Sequence, residues 1–295
     1  MKYTEEQLSK LCAPASTTED AMLEHAKSQV LNALNDNHVI NSNQYEVFGQ
    51  GSYKNNTNVR KNSDVDINVC YTDAYYYDIP NNMSKVDFGF INPVSYTYKE
   101  YKNDIEKILV DYFGRENVVR KNKCINIKSN TYRASIDVVP TWKYRNYRNL
   151  YSYDEGVYLF SDNYERVINY PKQHFKNGVN RNNETCRRYK RLVRIFKNLC
   201  IKMKEDRYYI NDNINSFLIE CLIYNVPIDC YSQYYCDWNL FLKNCIGYLW
   251  NETKFNNNEM LEVSELLPVF QNHKWSYIDV NNFMYNLWNY LEYGD

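Results

Sequence analysis

The stretch GQGSYKNNTNVRKNSDVDINV, Gly49–Val69, sets a glycine-serine turn at Gly51-Ser52 a dozen residues ahead of two aspartates that flank one valine. In a strand successive side chains alternate faces, so Asp64, Asp66 and Asn68 share one side and Val65, Ile67 and Val69 the other. The valine side belongs to a core. Two carboxylates side by side repel, and near a protein interior that repulsion raises the pKa of one of them unless a cation offsets it. A D-x-D pair alone is common on solvated strands, and a lone Gly-Ser dipeptide says almost nothing.

A third aspartate changes the weight of the pattern. Asp137 in ASIDVVP lies between Ile136 and Val138 in another apolar strand. If the two strands are neighbours, Asp64, Asp66 and Asp137 converge as hard oxygen donors suited to Mg²⁺ or Mn²⁺. Three such carboxylates are what a two-metal phosphoryl-transfer centre uses, with ions about 4 Å apart. The glycine lets backbone approach closely, and its amide with the Ser52 hydroxyl can hold phosphate oxygens.

The rest of the chain fits an α+β protein. At 295 residues it can bury a large core, and its formal net charge of -1 excludes a general basic surface for stable nucleic-acid binding. The nine scattered cysteines, odd in number and without a C-x-x-C pair, argue for reduced thiols in the cytoplasm rather than disulfides or structural zinc. No segment approaches the roughly 20 consecutive apolar residues of a membrane span. The 31 tyrosines reflect base composition rather than a stacking surface.

Thr17-Thr18-Glu19-Asp20 reads as the cap of a helix burying Leu23, Ala26, Val30 and Leu34. Strand-like YEVFG follows from Tyr45. A helix is expected over about 98–112, ended by Gly114, then strands at NVVR, CINIK and YRASIDVVP, the last stopped by Pro140. Beyond Tyr170-Pro171 helices dominate: about 184–204, with Leu192, Phe196, Leu199 and Met203 on one side and Arg187, Lys190, Arg194 and Lys197 on the other; about 214–225; and a last one capped by Asp279. This gives a mixed-sheet part at 1–165 and a helical part at 166–295, with a cleft expected between them.

These residues resemble the polymerase-β-like nucleotidyltransferases, and within them the cGAS/DncV-like nucleotidyltransferases (CD-NTases) of the bacterial anti-phage systems called CBASS, near the CdnE-type branch. GSYKNNTNVRKNSDVDINV is similar to the family's G-S followed by h-D-h-D-h, and SIDVVP to its third-aspartate strand. The likeness continues through INYPKQHFKNGVNRNNETCRRYKRLVRIFKNL and SFLIECLIYNVP. Asn56 departs from the glycine usual before Thr57, and RKNSD lacks the customary glycine after the arginine.

The resemblance implies a metal-dependent synthase that joins nucleoside triphosphates (NTPs) into a cyclic oligonucleotide with release of pyrophosphate, read in turn by a CBASS effector. Asp64, Asp66 and Asp137 would hold two Mg²⁺ or Mn²⁺ ions, and Gly51, Ser52, Lys197 and Ser216 the triphosphate. Phe217 stands where relatives often stack a tyrosine on the donor base. Asn169 lies where the family's lid approaches a base, and its amide suits a pyrimidine edge such as uracil. On pattern alone Lys197 belongs to a solvated face, Phe217 to a core, and His174 to structure rather than base catalysis. A monomer is expected. The competing readings are transfer of a nucleotide to protein or RNA, and an inactive nucleotide-binding scaffold.

Overall fold

The computed structural model describes residues 1–14, 18–37, 39–41, 44–59, 63–90, 94–232, 237–255, 259–270 and 275–294. In chain order the elements are α1 (Glu5–Leu11), α2 (Glu19–Asn35), β1 (Tyr45–Gly49), α3 (Gly51–Asn55), β2 (Val65–Asp78), α4 (Tyr98–Phe113), β3 (Val118–Arg120), β4 (Ile125–Ile127), β5 (Ile136–Asn149), β6 (Ser152–Phe160) and β7 (Arg166–Asn169). The helices α5 (Pro171–Glu184), α6 (Arg188–Glu205), α7 (Ser216–Tyr224), α8 (Ile228–Ser232), α9 (Trp238–Lys254) and α10 (Tyr277–Tyr290) follow. The class is α+β with a mixed sheet and C-terminal helices, as the sequence leads one to expect.

The chain forms two compact units. One comprises Ser16–Lys54 and Arg60–Lys172; the other Met1–Ala15, Asn55–Val59 and Gln173–Asp295. The first holds a seven-stranded sheet among the described residues, ordered β1-β2-β5-β4-β3, with β6 on β5 and β7 on β6. β2 and β5 run parallel and the other pairs antiparallel. Alternation places Val65, Ile67 and Val69 of β2 and Ile136 and Val138 of β5 in the core, where α2 contributes Leu23, Ala26, Val30 and Leu34 and α4 contributes Ile105, Ile108 and Leu109. Each of the larger side chains among these, valine, isoleucine or leucine, stabilises the fold by about 1.5–3 kcal/mol when fully buried.

Element ends follow from capping. Thr97 and Glu100 form a reciprocal capping box at the start of α4, and Gly114, at φ +86°, ends it. Thr18 precedes α2 but makes no side-chain cap bond, and Thr17 lies outside the described residues. Pro140 does not stop β5, which runs on to Asn149. On its hydrogen-bonding side β4 ends opposite Val138 and β6 begins opposite Trp142, so the missing N–H falls in the gap between two partner strands. The Pro140 carbonyl there accepts from the Tyr98 hydroxyl at 2.9 Å.

The helical unit has its own core, drawn from α6, α7, α9 and α10. The expected helix over about 184–204 is α6, which starts later, at Arg188: α5 ends at Glu184, and Cys186 and Arg187 between them are both at positive φ. The expected solvated face of α6 is also corrected, because Arg194 and Lys197 are both buried. The cap of α10 is Ser276, whose side chain accepts from the Asp279 amide, rather than Asp279 itself. No helix among the described residues is long and apolar enough to cross a membrane.

Candidate active site

In the parallel ladder Asp66 is the register partner of Asp137, as Val65 is of Ile136 and Ile67 of Val138. Register partners present side chains on the same face, so these two carboxylates stand abreast, with Asp64 two residues back on the same side. A single ammonium, Lys121 Nζ, reaches Asp137 Oδ1 at 2.9 Å, Asp137 Oδ2 at 3.2 Å and Asp64 Oδ2 at 3.5 Å, so all three aspartates belong to one cluster.

Electrostatics mark the cluster as short of positive charge. Burial, then the charges of Asp137 and Asp64, push the Asp66 carboxyl up to about 7, against a smaller opposing pull from Lys121. Asn126 of β4, opposite Asp137, donates to Asp137 Oδ1 at 2.7 Å and to Ser135 Oγ at 2.9 Å, which orients the third carboxylate.

Gly51 completes this side. Its φ is +69°, and a β-carbon there would sit 2.2 Å from Asp66 Oδ2, so only glycine lets the turn lie against the carboxylate. The Gln50 amide donates to the Asp66 carbonyl at 3.0 Å, and Asn68 links Gln50 and Thr141 through its side chain, at 3.1 and 2.7 Å. Ser52 follows Gly51 in the first turn of α3. Gly51, Ser52 and the three aspartates therefore share one unit.

A hard divalent cation fits this donor set: the carboxylates are close, one is raised by burial and then by its neighbours' charges, and an ammonium already stands on two of them. Among the described residues no trio of His, Cys, Asp or Glu side chains closes into a ready metal cage.

Other expected site residues lie elsewhere. Asn169 is exposed at the end of β7, paired with Val157. In the helical unit Ser216 is the exposed first residue of α7, behind the Asn215 cap. The Phe217 ring is half-buried, stacked on Trp275 with centroids 5.8 Å apart and 5.6 Å from the His174 ring.

Lys197 is corrected in environment. Its ammonium donates to the Thr57 carbonyl and hydroxyl at 3.2 Å each and to Glu220 Oε2 at 3.3 Å, and its side chain is 3% exposed. Glu220 also accepts from the Thr57 hydroxyl at 3.0 Å and from His174 Nε2 at 3.0 Å. Burial alone would raise the Glu220 carboxyl; Lys197 and His174 more than offset it and hold it at about 2. His174 thus sits in a buried polar network.

Lys121, Asn126 and Glu220 are absent from the sequence reading. Asn126 offers one signal, a polar residue amid the apolar positions of CINIK, but its meaning depends on the β4–β5 register. Lys121 in a polar turn and Glu220 within SFLIECLIY carry none.

Residues 176–292 match the cGAS/DncV-like nucleotidyltransferase C-terminal helical domain. The chain is 48% identical over 295 residues to a Cecembia lonarensis protein named cyclic dipyrimidine nucleotide synthase CdnE, covering 99% of each. It is 37% identical to the cyclic dipurine nucleotide synthase of Elizabethkingia meningoseptica, over 99% of this chain and 100% of that one. Among solved structures, the Elizabethkingia meningoseptica CdnE cyclic dinucleotide synthase with GTP and Apcpp superposes with a TM-score of 0.82 at 36% identity, covering 98% and 99% of the two chains. The Rhodothermus marinus CdnE c-UMP-AMP synthase with Apcpp and Upnpp gives 0.85 at 28%, covering 99% and 98%. With such identity over nearly its whole length, and with the paired-strand aspartates in place, the chain belongs to the cGAS/DncV-like nucleotidyltransferases, among the CdnE-type members.

Proposed function

We propose that this protein is a cyclic dinucleotide synthase of anti-phage signalling that joins two NTPs, at least one of them a pyrimidine nucleotide, and acts through a CBASS effector that senses the product. The observation that carries the chemistry is the Asp66–Asp137 register pairing with Asp64 on the same face. The pyrimidine preference is supported by the 48% identical relative named as a dipyrimidine synthase and by the exposed Asn169 amide, which can both donate to and accept from a pyrimidine edge.

In each half-reaction a ribose hydroxyl attacks an α-phosphorus; the new O–P bond forms as the bond to pyrophosphate breaks. The second attack closes the ring, so two NTPs give one cyclic dinucleotide and two pyrophosphates. Asp64, Asp66 and Asp137 would hold Mg²⁺ or Mn²⁺, which when bound acidifies the attacking hydroxyl and neutralises charge on the leaving group. Asn126 fixes the orientation of Asp137. The Gly51 backbone and the Ser52 hydroxyl bind the triphosphate. Lys197 can reach a phosphate only by leaving Glu220 and Thr57, so we assign it to holding residues 55–59 on the helical unit.

The test is incubation with each α-labelled NTP and Mg²⁺ or Mn²⁺, phosphatase treatment, and separation of what remains. Phosphatase-resistant small product labelled from UTP or CTP supports the proposal, and the Asp64→Asn, Asp66→Asn double variant makes none. Label on protein or RNA, or no turnover, contradicts it. Product drawn from ATP and GTP alone removes the pyrimidine assignment.

A further inference from the structure

Lys121 is not part of the G-S or D-x-D motif, yet it stands on the reaction centre. A lysine on a free surface loop would lose much side-chain entropy in holding one position. This one is delivered by a braced turn. The turn joins β3 to β4 and is closed by the Lys121 amide donating to the Cys124 carbonyl at 2.9 Å. Next to it, the Asn122 carbonyl accepts from the buried Lys102 ammonium at 2.8 Å and from the Asp162 amide at 3.0 Å. The Asn122 side chain accepts from the Asn163 amide at 3.0 Å. On the other flank Arg120 grips Asp162 through two bonds of 2.8 Å and also reaches Glu106 at 2.9 Å. The lysine backbone is thus fixed from both sides, within reach of the aspartates, and the ammonium meets Asp137 and Asp64 from there.

We propose that Lys121 is the built-in counter-charge of the carboxylate cluster: its ammonium holds Asp137 and Asp64 in the metal-free protein and competes with the divalent cation for them. This rests on the metal-binding reading of those aspartates given above. Both cations need the same carboxylate oxygens, and a positive group kept beside them lowers the gain from adding another. Removing Lys121 therefore acts in one direction: the carboxylates are left less compensated, and the incoming ion meets less repulsion. The lysine keeps the cluster tolerable without metal and weakens idle metal loading. It is a positioning residue, not a ligand.

The experiment is a Mn²⁺ titration of the full chain without nucleotide, read by the loss of the free-ion electron paramagnetic resonance signal. It compares wild type, Lys121→Gln, Lys121→Arg and the Asp64→Asn, Asp66→Asn double variant. Lys121→Gln is expected to bind Mn²⁺ about fivefold more tightly than wild type, with Lys121→Arg near wild type. In thermal melts Lys121→Gln should fall below wild type without metal and converge on it at saturating Mn²⁺. Equal or weaker Mn²⁺ binding by Lys121→Gln, where wild type binds and the double aspartate variant does not, overturns the role of Lys121 and leaves the metal site standing. Failure of both wild type and Lys121→Gln to bind Mn²⁺, or unchanged binding in the double aspartate variant, overturns the metal reading and this inference with it.

Discussion

At Asn56 the backbone adopts φ +53°, a left-handed conformation that costs most side chains roughly 1–2 kcal/mol and that glycine or asparagine takes most readily. The family's usual glycine before Thr57 and the asparagine found here answer the same demand. The asparagine adds something glycine lacks, since its side-chain oxygen lies 3.2 Å from Arg194 Nη1, which also binds the Asn56 carbonyl at 2.5 Å. Asn56→Gly should therefore change stability by less than about 1 kcal/mol, whereas Asn56→Val should cost about 2 kcal/mol, measured by urea unfolding. The second departure, in Arg60-Lys61-Asn62, lies outside the described residues. The three aspartates were legible because strand alternation puts D-V-D on one face whatever the tertiary context. Lys121 and Asn126 were not, because they reach the cluster only through strand pairings that span distant parts of the chain.

At the scale of elements, local rules failed where neighbours supplied what the rule forbids. A proline ends a strand when its lost N–H leaves a partner unpaired; Pro140 is in register with Val69 of β2 on one side, and on the side of its missing N–H it falls between β4 and β6, where Tyr98 of α4 fills the gap. The Tyr98 hydroxyl donates to the Pro140 carbonyl at 2.9 Å. Tyr98→Phe should thus leave the buried Pro140 carbonyl without that partner and destabilise the protein by about 1–3 kcal/mol, read from denaturant midpoints against wild type. On α6 the periodicity located the apolar stripe correctly, yet it could not foresee that the basic side is buried too. Lys197 gains Glu220 and Thr57, and Arg194 gains carbonyls of Cys12 and Asn56. Three of these four partners lie far from α6 in sequence, so a helical pattern read alone shows only charge.

For the molecule as a whole, each unit has its own apolar core, and neither unit is contiguous in sequence. Composition and period revealed the passage from sheet to helices, but not that residues 55–59 belong with the helices. That membership depends on the buried cluster of Thr57, His174, Lys197 and Glu220. Against burial, Lys197 and His174 hold the Glu220 carboxyl at about 2, below its ordinary value of 4.5, so its charge contributes stability above pH 4.5 that is lost as pH falls towards 2. Glu220→Gln should destabilise by about 3 kcal/mol near pH 7, because Lys197 is left buried without its counter-ion. The gap to wild type should narrow below pH 4.5, as followed by unfolding monitored at a series of pH values.

The proposed reaction at the aspartate cluster is closure of a ring from two nucleotides. It is tested most directly by counting pyrophosphate released per product molecule, with the product weighed by mass spectrometry after incubation with all four NTPs and Mg²⁺ or Mn²⁺. Two pyrophosphates are expected for each product, with a mass equal to two nucleoside monophosphates less two waters, a pyrimidine in that product, and none of it from Asp66→Asn. One pyrophosphate per product, with a linear dinucleotide or a protein-bound nucleotide in place of the ring, would contradict it.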